Sequence, residues 1–236
     1  MESGALKLAT YNIHKAIGAD KRRNPERILK VLAELDADIV ALQEADRRFG
    51  KRSAAIPQIL LDQQSDYQAV PLDVQIDSMG WHGNAILTRK SAVIRAHDIL
   101  HIPCIEPRGA VVAEIEIDGM TLCAFGMHLD LSGLWRRRQA RAIIKLAEQH
   151  GADLPTVLMG DLNEWRSTGG CLRDFERSFA FAACGRSFHA RQPIARLDRI
   201  MHCDRLRTVR SGAHDSATAR KASDHLPVWA KVELAG

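Results

Sequence analysis

Five short segments of this chain share one pattern, in which apolar residues adjoin a side chain that can bind a metal ion or a phosphate group. The segments are Leu6–Asn12, 38–44, 122–128, 155–163 and 223–227, and their polar residues are Asn12, Glu44, His128, Asp161 with Asn163, and Asp224 with His225. A buried strand that stops at an acid, an amide or an imidazole places that group at a sheet edge, where open sheets bind ligands. The pattern therefore predicts one site assembled from the whole length of the chain.

The beginning of the chain predicts a strand, a helix and a second strand. Asn24 can cap a helix and Pro25 suits its first turn, while apolar residues recur at helical spacing from Ile28 to Leu35. The apolar stretch 38–43 follows as a strand. This order indicates an α/β unit.

The rest of the chain adds antiparallel strands and more helices. Strands are predicted at 84–88, 93–99, Ala110–Ile117, 121–127, 196–202, 207–212 and Val228–Leu234, and Asp118-Gly119 is a strong hairpin signal. Helices are predicted over Gly133–His150, with Arg136, Arg137, Arg138 and Arg141 mostly outward, and near 172–179. Together these elements predict an α/β (α+β) fold, a four-layer αββα sandwich of two mixed β-sheets flanked by helices.

Length and composition fit a single domain over residues 1–236. No Pro/Gly/Ser-rich linker divides the chain, and 46% hydrophobic with 26% charged residues is ordinary for a globular protein. The apolar runs have strand length and the N-terminus lacks the pattern of a secretory signal, so we expect no transmembrane segment and a cytoplasmic location. Five cysteines without C-x-x-C spacing argue against a disulfide framework or a zinc site and favour buried thiols.

The net charge and the Asp161-Leu162-Asn163 segment both suit a protein that acts on phosphate groups, but neither identifies its function. The net charge of +4 suits an anionic substrate, but it falls short of the dense cationic face of a dedicated nucleic-acid binder. Asp161 and Asn163 share a face if the strand continues through them, and Mg²⁺ prefers such oxygen ligands. The alternative is a turn in which Asp161 bonds the backbone.

The other candidate side chains each have a structural alternative as well. Glu44 at the mouth of a buried strand suits either metal ligation or a salt bridge, and the amide of Asn12 can bond the backbone instead. Asp224 and His225 need a loop if both are to face one site, because neighbours on a strand point to opposite faces. His128 alone is typical of a hydrogen-bonded core residue, and Asp198 can pair with Arg196 or Arg199.

The order of these motifs resembles a known family. In chain order they are Asn12, Gln43-Glu44, Gly83-Asn84-Ala85, His128, Gly160-Asp161-Leu162-Asn163, Leu197-Asp198-Arg199-Ile200 and Ser223-Asp224-His225. The series, which runs from Leu6 to about Leu234, resembles the endonuclease/exonuclease/phosphatase superfamily, the deoxyribonuclease-I-like phosphoesterases. A bacterial branch described only in general terms as phosphodiesterases or endonucleases is resembled by the motifs Asn12-Ile13-His14-Lys15, His82-Gly83-Asn84, Pro107-Arg108-Gly109, Gly160-Asp161-Leu162-Asn163-Glu164-Trp165-Arg166 and Arg196-Leu197-Asp198-Arg199-Ile200.

The resemblance implies a divalent-metal site and a role for each candidate. Glu44 would be the principal ligand of Mg²⁺ (Mn²⁺ or Ca²⁺ in some relatives), with Asp224 and Asn12 close to it. Asp161 and Asn163 would hold the attacking water and a phosphoryl oxygen, or a second ion. His225 would accept the water proton or hold the phosphate, Asp198 would orient its ring, and His128 would protonate the leaving oxygen.

Three further residues enter through the resemblance alone. Arg108 would contact the phosphate, with an ordinary surface arginine as the alternative. Arg138 and Gln139 match a recurrent feature after the family's histidine strand, so we expect them to pack near the site.

The predicted function is divalent-metal-dependent hydrolysis of phosphoester bonds, phosphodiesters foremost, by in-line attack of an activated water. The expected substrate is a nucleic-acid fragment, a nucleotide or a phospholipid head group, and no obligate protein partner is inferred. Two alternatives stay open: a true DNA or RNA endonuclease, and a non-catalytic module that binds phosphate or nucleic acid on the same fold. Duplex DNA is the weaker candidate because the chain lacks long groove-binding loops and a basic stripe interleaved with aromatic residues.

Overall fold

The computed structural model describes residues 4–47, 53–72, 77–106 and 108–235, so Pro107 and the first three residues lie outside the described residues. The described strands are β1 (Leu6–Asn12), β2 (Ile39–Gln43), β3 (Tyr67–Ala69), β4 (Ala85–Arg89), β5 (Val93–Leu100), β6 (Ala110–Ile117), β7 (Met120–His128), β8 (Thr156–Asp161), β9 (Ala180–Phe181), β10 (Asp198–His202), β11 (Leu206–Ala213) and β12 (Val228–Leu234). The described helices are α1 (Pro25–Leu35), α2 (Gln58–Gln64), α3 (Gly133–His150), α4 (Gly170–Phe175) and α5 (Ala219–Ala222), with a 3-10 turn at His14–Ala16.

The strands form two six-stranded mixed sheets. The first has the order β11-β12-β1-β2-β4-β3 and the second β5-β6-β7-β8-β10-β9. In each sheet one central pair is parallel, β1 with β2 and β7 with β8, and the other pairs are antiparallel. Parallel strands end at the same edge of a sheet, so both sheets carry two neighbouring strand ends at one edge.

The alternation of side chains along the central strands builds the layers. In β2, Ile39 and Ala41 belong to the core between the sheets, whereas Val40 and Leu42 belong to the core under α1. In β7, Phe125 lies in a third core under α3 and α4. Each large apolar side chain buried in this way stabilises the fold by about 1.5–3 kcal/mol. The predicted αββα sandwich is therefore confirmed.

Two local sequence signals act as predicted. The side chain of Asn24 accepts a hydrogen bond from the backbone N–H of Arg27 at 2.7 Å, which caps α1. The hairpin between β6 and β7 turns at Asp118 and Gly119, whose φ values are 48° and 78°. Positive φ at both central residues suits the right-handed twist of the flanking strands.

Two expectations about exposure are wrong. Arg136 is buried, because its guanidinium finds carbonyl and carboxylate partners beneath the loops that follow β7 and β8. Cys104 is exposed and lies in the irregular segment that follows β5. Cys123, Cys171 and Cys184 are buried, as expected, and none of the cysteines forms a disulfide. Among the described residues, no helix has both the length and the apolar character that a membrane span requires.

Candidate active site

Strand register brings the predicted polar residues to one edge of the two facing sheets. Asn12 ends β1 opposite Gln43, the last residue of β2, and Glu44 follows directly. In the second sheet Asp161 is in register with His128 on one side and with Asp198 on the other. A hydrogen bond of 3.1 Å from Asn12 Nδ2 to Asp161 Oδ2 joins the sheets at this edge.

The buried carboxylate of Asp161 is the centre of this arrangement. Its Oδ1 accepts the backbone N–H of Asn163 at 2.9 Å, so the turn that the sequence offered as an alternative is present. Its Oδ2 lies 3.1 Å from Asn12 Nδ2, 3.4 Å from His128 Nε2 and 3.8 Å from His225 Nε2. One oxygen therefore serves the turn and the other faces three polar groups.

His225 and Asp198 form a buried pair. His225 Nδ1 lies 2.8 Å from Asp198 Oδ2, which directs Nε2 toward Asp161. Burial disfavours a charged imidazole, but the Asp198 carboxylate outweighs it and raises the pKa of His225 to about 10. The alternative partners of Asp198 are not used, since Arg199 reaches only its backbone oxygen at 3.4 Å. Within the described residues Asp198 Oδ1 is buried without a hydrogen-bond partner.

The loop that carries Asp224 and His225 is anchored to the end of β1. Ser223 Oγ donates to the backbone oxygen of Asn12 at 2.7 Å and accepts the backbone N–H of His225 at 3.2 Å. The ring of Phe188 packs on that of His225 with centroids 4.8 Å apart. These contacts place adjacent residues, Asp224 and His225, at the same edge, as a loop permits and a strand does not.

His128 and Arg108 interact directly. Arg108 Nη1 donates to His128 Nε2, so this nitrogen is an acceptor and the ring is neutral in this arrangement. Burial, helped by the Arg108 charge, outweighs Asp161 and lowers the pKa of His128 to about 3. Arg108 is 12% exposed and lies in the site, which excludes the alternative of an ordinary surface arginine.

Asn163 is fixed by its backbone and its amide. Its φ is 50°, in the left-handed region that asparagine tolerates better than most residues. Its Nδ2 donates to the backbone oxygen of Leu129 at 2.9 Å, which joins the loops after β7 and β8. Asp161 and Asn163 thus lie together through a turn rather than through an extended strand.

Glu44 and Asp224 are the more exposed carboxylates of the site. Their side chains are 24% and 30% exposed, and each has a cationic or imidazole neighbour: Lys15 Nζ donates to Glu44 Oε2, and His14 Nδ1 lies 3.8 Å from Asp224 Oδ1. Burial raises the pKa of Glu44, but the hydrogen bond and charge of Lys15 outweigh it and hold that pKa below its ordinary value. The salt-bridge alternative for Glu44 is therefore present, with a lysine as the partner.

The donor chemistry of Glu44, Asp224 and Asn12 fits a hard divalent cation, because two partly exposed carboxylates and a buried amide offer oxygen ligands. A second possible group is Asp161, Asp198 and His225, whose ligand atoms lie within 4.8 Å of one another. In that group Asp198 and His225 already bond each other, which occupies one ligand atom of each. The first group differs in that its two carboxylates are reachable from solvent.

A buried ion pair supports the two loops that carry Asp161, Asn163 and His128. Arg136, from α3, donates to the backbone oxygen of Leu131 at 2.6 Å and to Glu164 Oε2 at 3.1 Å. The side chain of Glu164 is 4% exposed. Of the pair expected near the site, Gln139 does pack there, since its Oε1 accepts the backbone N–H of Asp130 at 2.8 Å. Arg138 is instead exposed and lies over the ring of Trp135. The arginine that faces inward is Arg136, which lies on the same face of α3 as Gln139, three residues later.

Replacing Arg136 by methionine is expected to lower the free energy of unfolding by about 3–5 kcal/mol, because Glu164 is left buried without its partner. Urea unfolding of the two proteins measures the difference. Arg138→Met is the matched control and should cost at most about 1 kcal/mol, since it removes an exposed cation–π contact. If Arg136→Met lowers the free energy of unfolding no more than this control does, Arg136 and Glu164 are not a stabilising buried ion pair.

Sequence reasoning missed several residues that shape the site. Lys15 stands in a motif that carried the family resemblance, but nothing in its spacing indicated a contact with Glu44. Ser223 belongs to the Ser223-Asp224-His225 motif, but nothing in the sequence indicated its hydrogen bond to Asn12. No sequence signal indicated the contact of Phe188 with His225. Glu164 follows Asn163 directly, yet only the structure shows that it faces α3.

Comparison with known proteins matches most of the chain to one family. A model of the Endonuclease/Exonuclease/phosphatase family matches residues 9–225, which include every site residue named above. No curated protein sequence matches the chain.

Solved structures share the fold over nearly the full chain. An endonuclease/exonuclease/phosphatase from Bacteroides vulgatus superposes with a TM-score of 0.78 at 17% identity, covering 98% of this chain and 99% of that one. TDP2 of D. rerio, complexed with a single-strand DNA product, gives 0.74 at 16% identity, covering 97% and 99%. A mannosyl-6-phosphatase from Bacteroides thetaiotaomicron gives 0.74 at 20% identity, covering 98% and 100%. At these identities the likeness shows a common fold.

Proposed function

Because the chain belongs to the Endonuclease/Exonuclease/phosphatase family, we propose that it is a divalent-metal-dependent hydrolase of phosphoester bonds, and of phosphodiesters in particular. The observation that carries the proposal is the set of groups around Asp161 Oδ2, where Asn12, His128 and His225 converge and His225 is paired with Asp198. A carboxylate, two imidazoles and an amide at one edge can hold a phosphate and move protons beside it.

Glu44, Asp224 and Asn12 would hold the cation, for which Mg²⁺ is the first candidate and Mn²⁺ or Ca²⁺ the others. When bound, such an ion stabilises the negative charge that develops on the phosphate oxygens. The chain's own contribution there is to gather oxygen ligands from β1, the end of β2 and the 223–225 loop, which the bond from Ser223 to Asn12 keeps in place.

The remaining residues would bind the phosphate and move protons. Arg108 would turn its guanidinium from His128 to a phosphate oxygen, a partner suited to its fork of donors. His225, held as a charged donor by Asp198, would contact the phosphate through Nε2 together with Asn163. Asp161 Oδ2 would accept the proton of the attacking water. Once Arg108 has turned to the phosphate, His128 Nε2, which lies 3.4 Å from Asp161 Oδ2, would be free to take up a proton and would then give it to the leaving oxygen.

The mild positive charge and the lack of a transmembrane helix among the described residues are compatible with several anionic substrates. We propose a nucleic-acid fragment, a nucleotide or a phospholipid head group. The named activities of the structural relatives differ, one having been solved with a DNA product and another being a sugar phosphatase. A substrate panel therefore has to include both diesters and monoesters.

The panel comprises bis-p-nitrophenyl phosphate, p-nitrophenyl phosphate, plasmid DNA, RNA and phospholipid vesicles, each assayed with Mg²⁺ and with Mn²⁺. We expect turnover of diesters, and turnover lower by about a hundredfold or more by an Asp198→Asn protein purified in parallel to control for contaminating hydrolases. Turnover of monoesters alone would contradict the diester preference. Binding of nucleic acid without any turnover would favour the non-catalytic module, and DNA cleavage that falls steeply with added salt would favour an endonuclease.

A further inference from the structure

Lys15 lies at the candidate metal site and has no role in the function proposed above. It follows Asn12 by three residues, and its ammonium group donates to Glu44 Oε2. The two side chains are 23% and 24% exposed, so the ion pair is partly shielded from solvent. Among the described residues this is the only ion pair that Lys15 makes.

The backbone around Lys15 adopts a costly conformation that directs this side chain. His14, Lys15 and Ala16 have φ values of 46°, 57° and 59°, a left-handed run that L-residues rarely adopt. Bonds from Ile13 N to Gln43 O (3.0 Å) and from Lys15 N to Glu44 O (3.1 Å) hold the turn against the end of β2. Outliers of this kind persist only where the surrounding structure enforces them, and they cluster at functional sites.

We propose that Lys15 is a tethered cation of the metal site, whose ammonium group neutralises Glu44 until a divalent ion displaces it. Metal binding would then be an exchange of one cation for another. The proposal rests on the function proposed above, because it takes Glu44 as a metal ligand.

Charge and geometry support the exchange. The ammonium group occupies Oε2, one of the two oxygens with which Glu44 can bind a cation, and a second positive group at this carboxylate would be strongly repelled by it. The flexible four-carbon stem of lysine lets the displaced ammonium group move aside while its backbone stays bound. Arg108 and His128 belong to the same electrostatic environment, since the charge of Arg108 helps to lower the pKa of Glu44 and that of Lys15 helps to lower the pKa of His128. The displaced group would therefore remain beside the phosphate.

The sign of the effect separates this proposal from a structural role. A residue that merely shapes the site weakens metal binding when it is removed. A competing cation strengthens metal binding when it is removed, because the divalent ion no longer has to displace it.

The test is calorimetric titration of Mn²⁺ into protein stripped with EDTA. Lys15→Met is expected to lower the dissociation constant of Mn²⁺ by about tenfold, whereas Lys15→Arg, which keeps the charge, should stay within about twofold of wild type. Lys30→Met removes one charge from an exposed position on α1 and controls for net charge. Lys15→Gln is a second neutral variant should the methionine protein not fold.

The outcomes are distinguishable. Equal or weaker Mn²⁺ binding by both neutral variants, with binding still abolished by Glu44→Gln, would overturn the role of Lys15 and leave the metal site standing. Failure of every protein, wild type included, to bind Mn²⁺ would overturn the proposed function and this inference together. If Lys30→Met also binds Mn²⁺ more tightly than wild type, the effect comes from the net charge of the protein, and the exchange between Lys15 and the metal ion is overturned.

Discussion

Replacing Glu44 by glutamine is expected to lower kcat/KM for a phosphodiester by about a thousandfold or more. Glu44 stands at the end of β2 with a carboxylate that solvent can reach, and its low pKa keeps it ionised at neutral pH. Glutamine has nearly the same shape but carries no charge, so the main attraction for the cation is removed while the strand remains intact.

Steady-state hydrolysis of bis-p-nitrophenyl phosphate and Mn²⁺ titration measure the two effects of Glu44→Gln together. Glu148→Gln, on the exposed face of α3, is the matched control and should leave both quantities unchanged. Activity of Glu44→Gln within a few-fold of wild type would show that the cation, if one is used, is held elsewhere.

The second large effect is expected for Asp198→Asn, which should lower kcat by about a hundredfold to ten-thousandfold. Asp198 is buried and accepts from His225 Nδ1 at 2.8 Å, so it sets both the orientation and the charge of that ring. An asparagine has no charge to stabilise the imidazolium, and its amide N–H₂ can donate to Nδ1, which would leave a neutral ring whose Nε2–H is a weaker donor to the phosphate.

Metal affinity distinguishes the two candidate cation groups in the same experiment. With the cation at Glu44, Asp224 and Asn12, Asp198→Asn should bind Mn²⁺ about as tightly as wild type. If Asp198→Asn instead abolishes Mn²⁺ binding while Glu44→Gln preserves it, the cation lies among Asp161, Asp198 and His225. Asp153→Asn, at an exposed loop position, is the control, and thermal unfolding checks that both proteins are folded.

Much of the fold could be predicted because its central strands are buried on both faces. The apolar runs of β1, β2, β7 and β8 stand out in sequence, and Asn24 and Asp118-Gly119 mark a helix start and a hairpin. Shorter elements have too few residues to show a period. Helix α2 has seven residues and β3 has three, and neither was indicated by the pattern.

The location of the site could be predicted for the same reason, whereas its internal pairing could not. A strand end fixes where Asp161 or His128 lies, since the parallel partners stop at one edge. Which side chain meets which depends on loop geometry and on contacts between sheets, as in the bond from Asn12 to Asp161 across 149 residues. Arg136 and Lys15 show most clearly where prediction from sequence fails. A charged residue is predicted to be exposed unless its partner in the fold is known.

The central claim is that this edge of the two sheets hydrolyses phosphodiesters with a divalent cation held by Glu44. The most direct measurement is the rate of bis-p-nitrophenyl phosphate hydrolysis by wild type and Glu44→Gln, after removal of metal with EDTA and again after addition of Mn²⁺. We predict that wild type loses its activity with EDTA and regains it with Mn²⁺, and that Glu44→Gln is inactive in both conditions. Hydrolysis by wild type that is unaffected by EDTA, or full activity of Glu44→Gln, would contradict the claim.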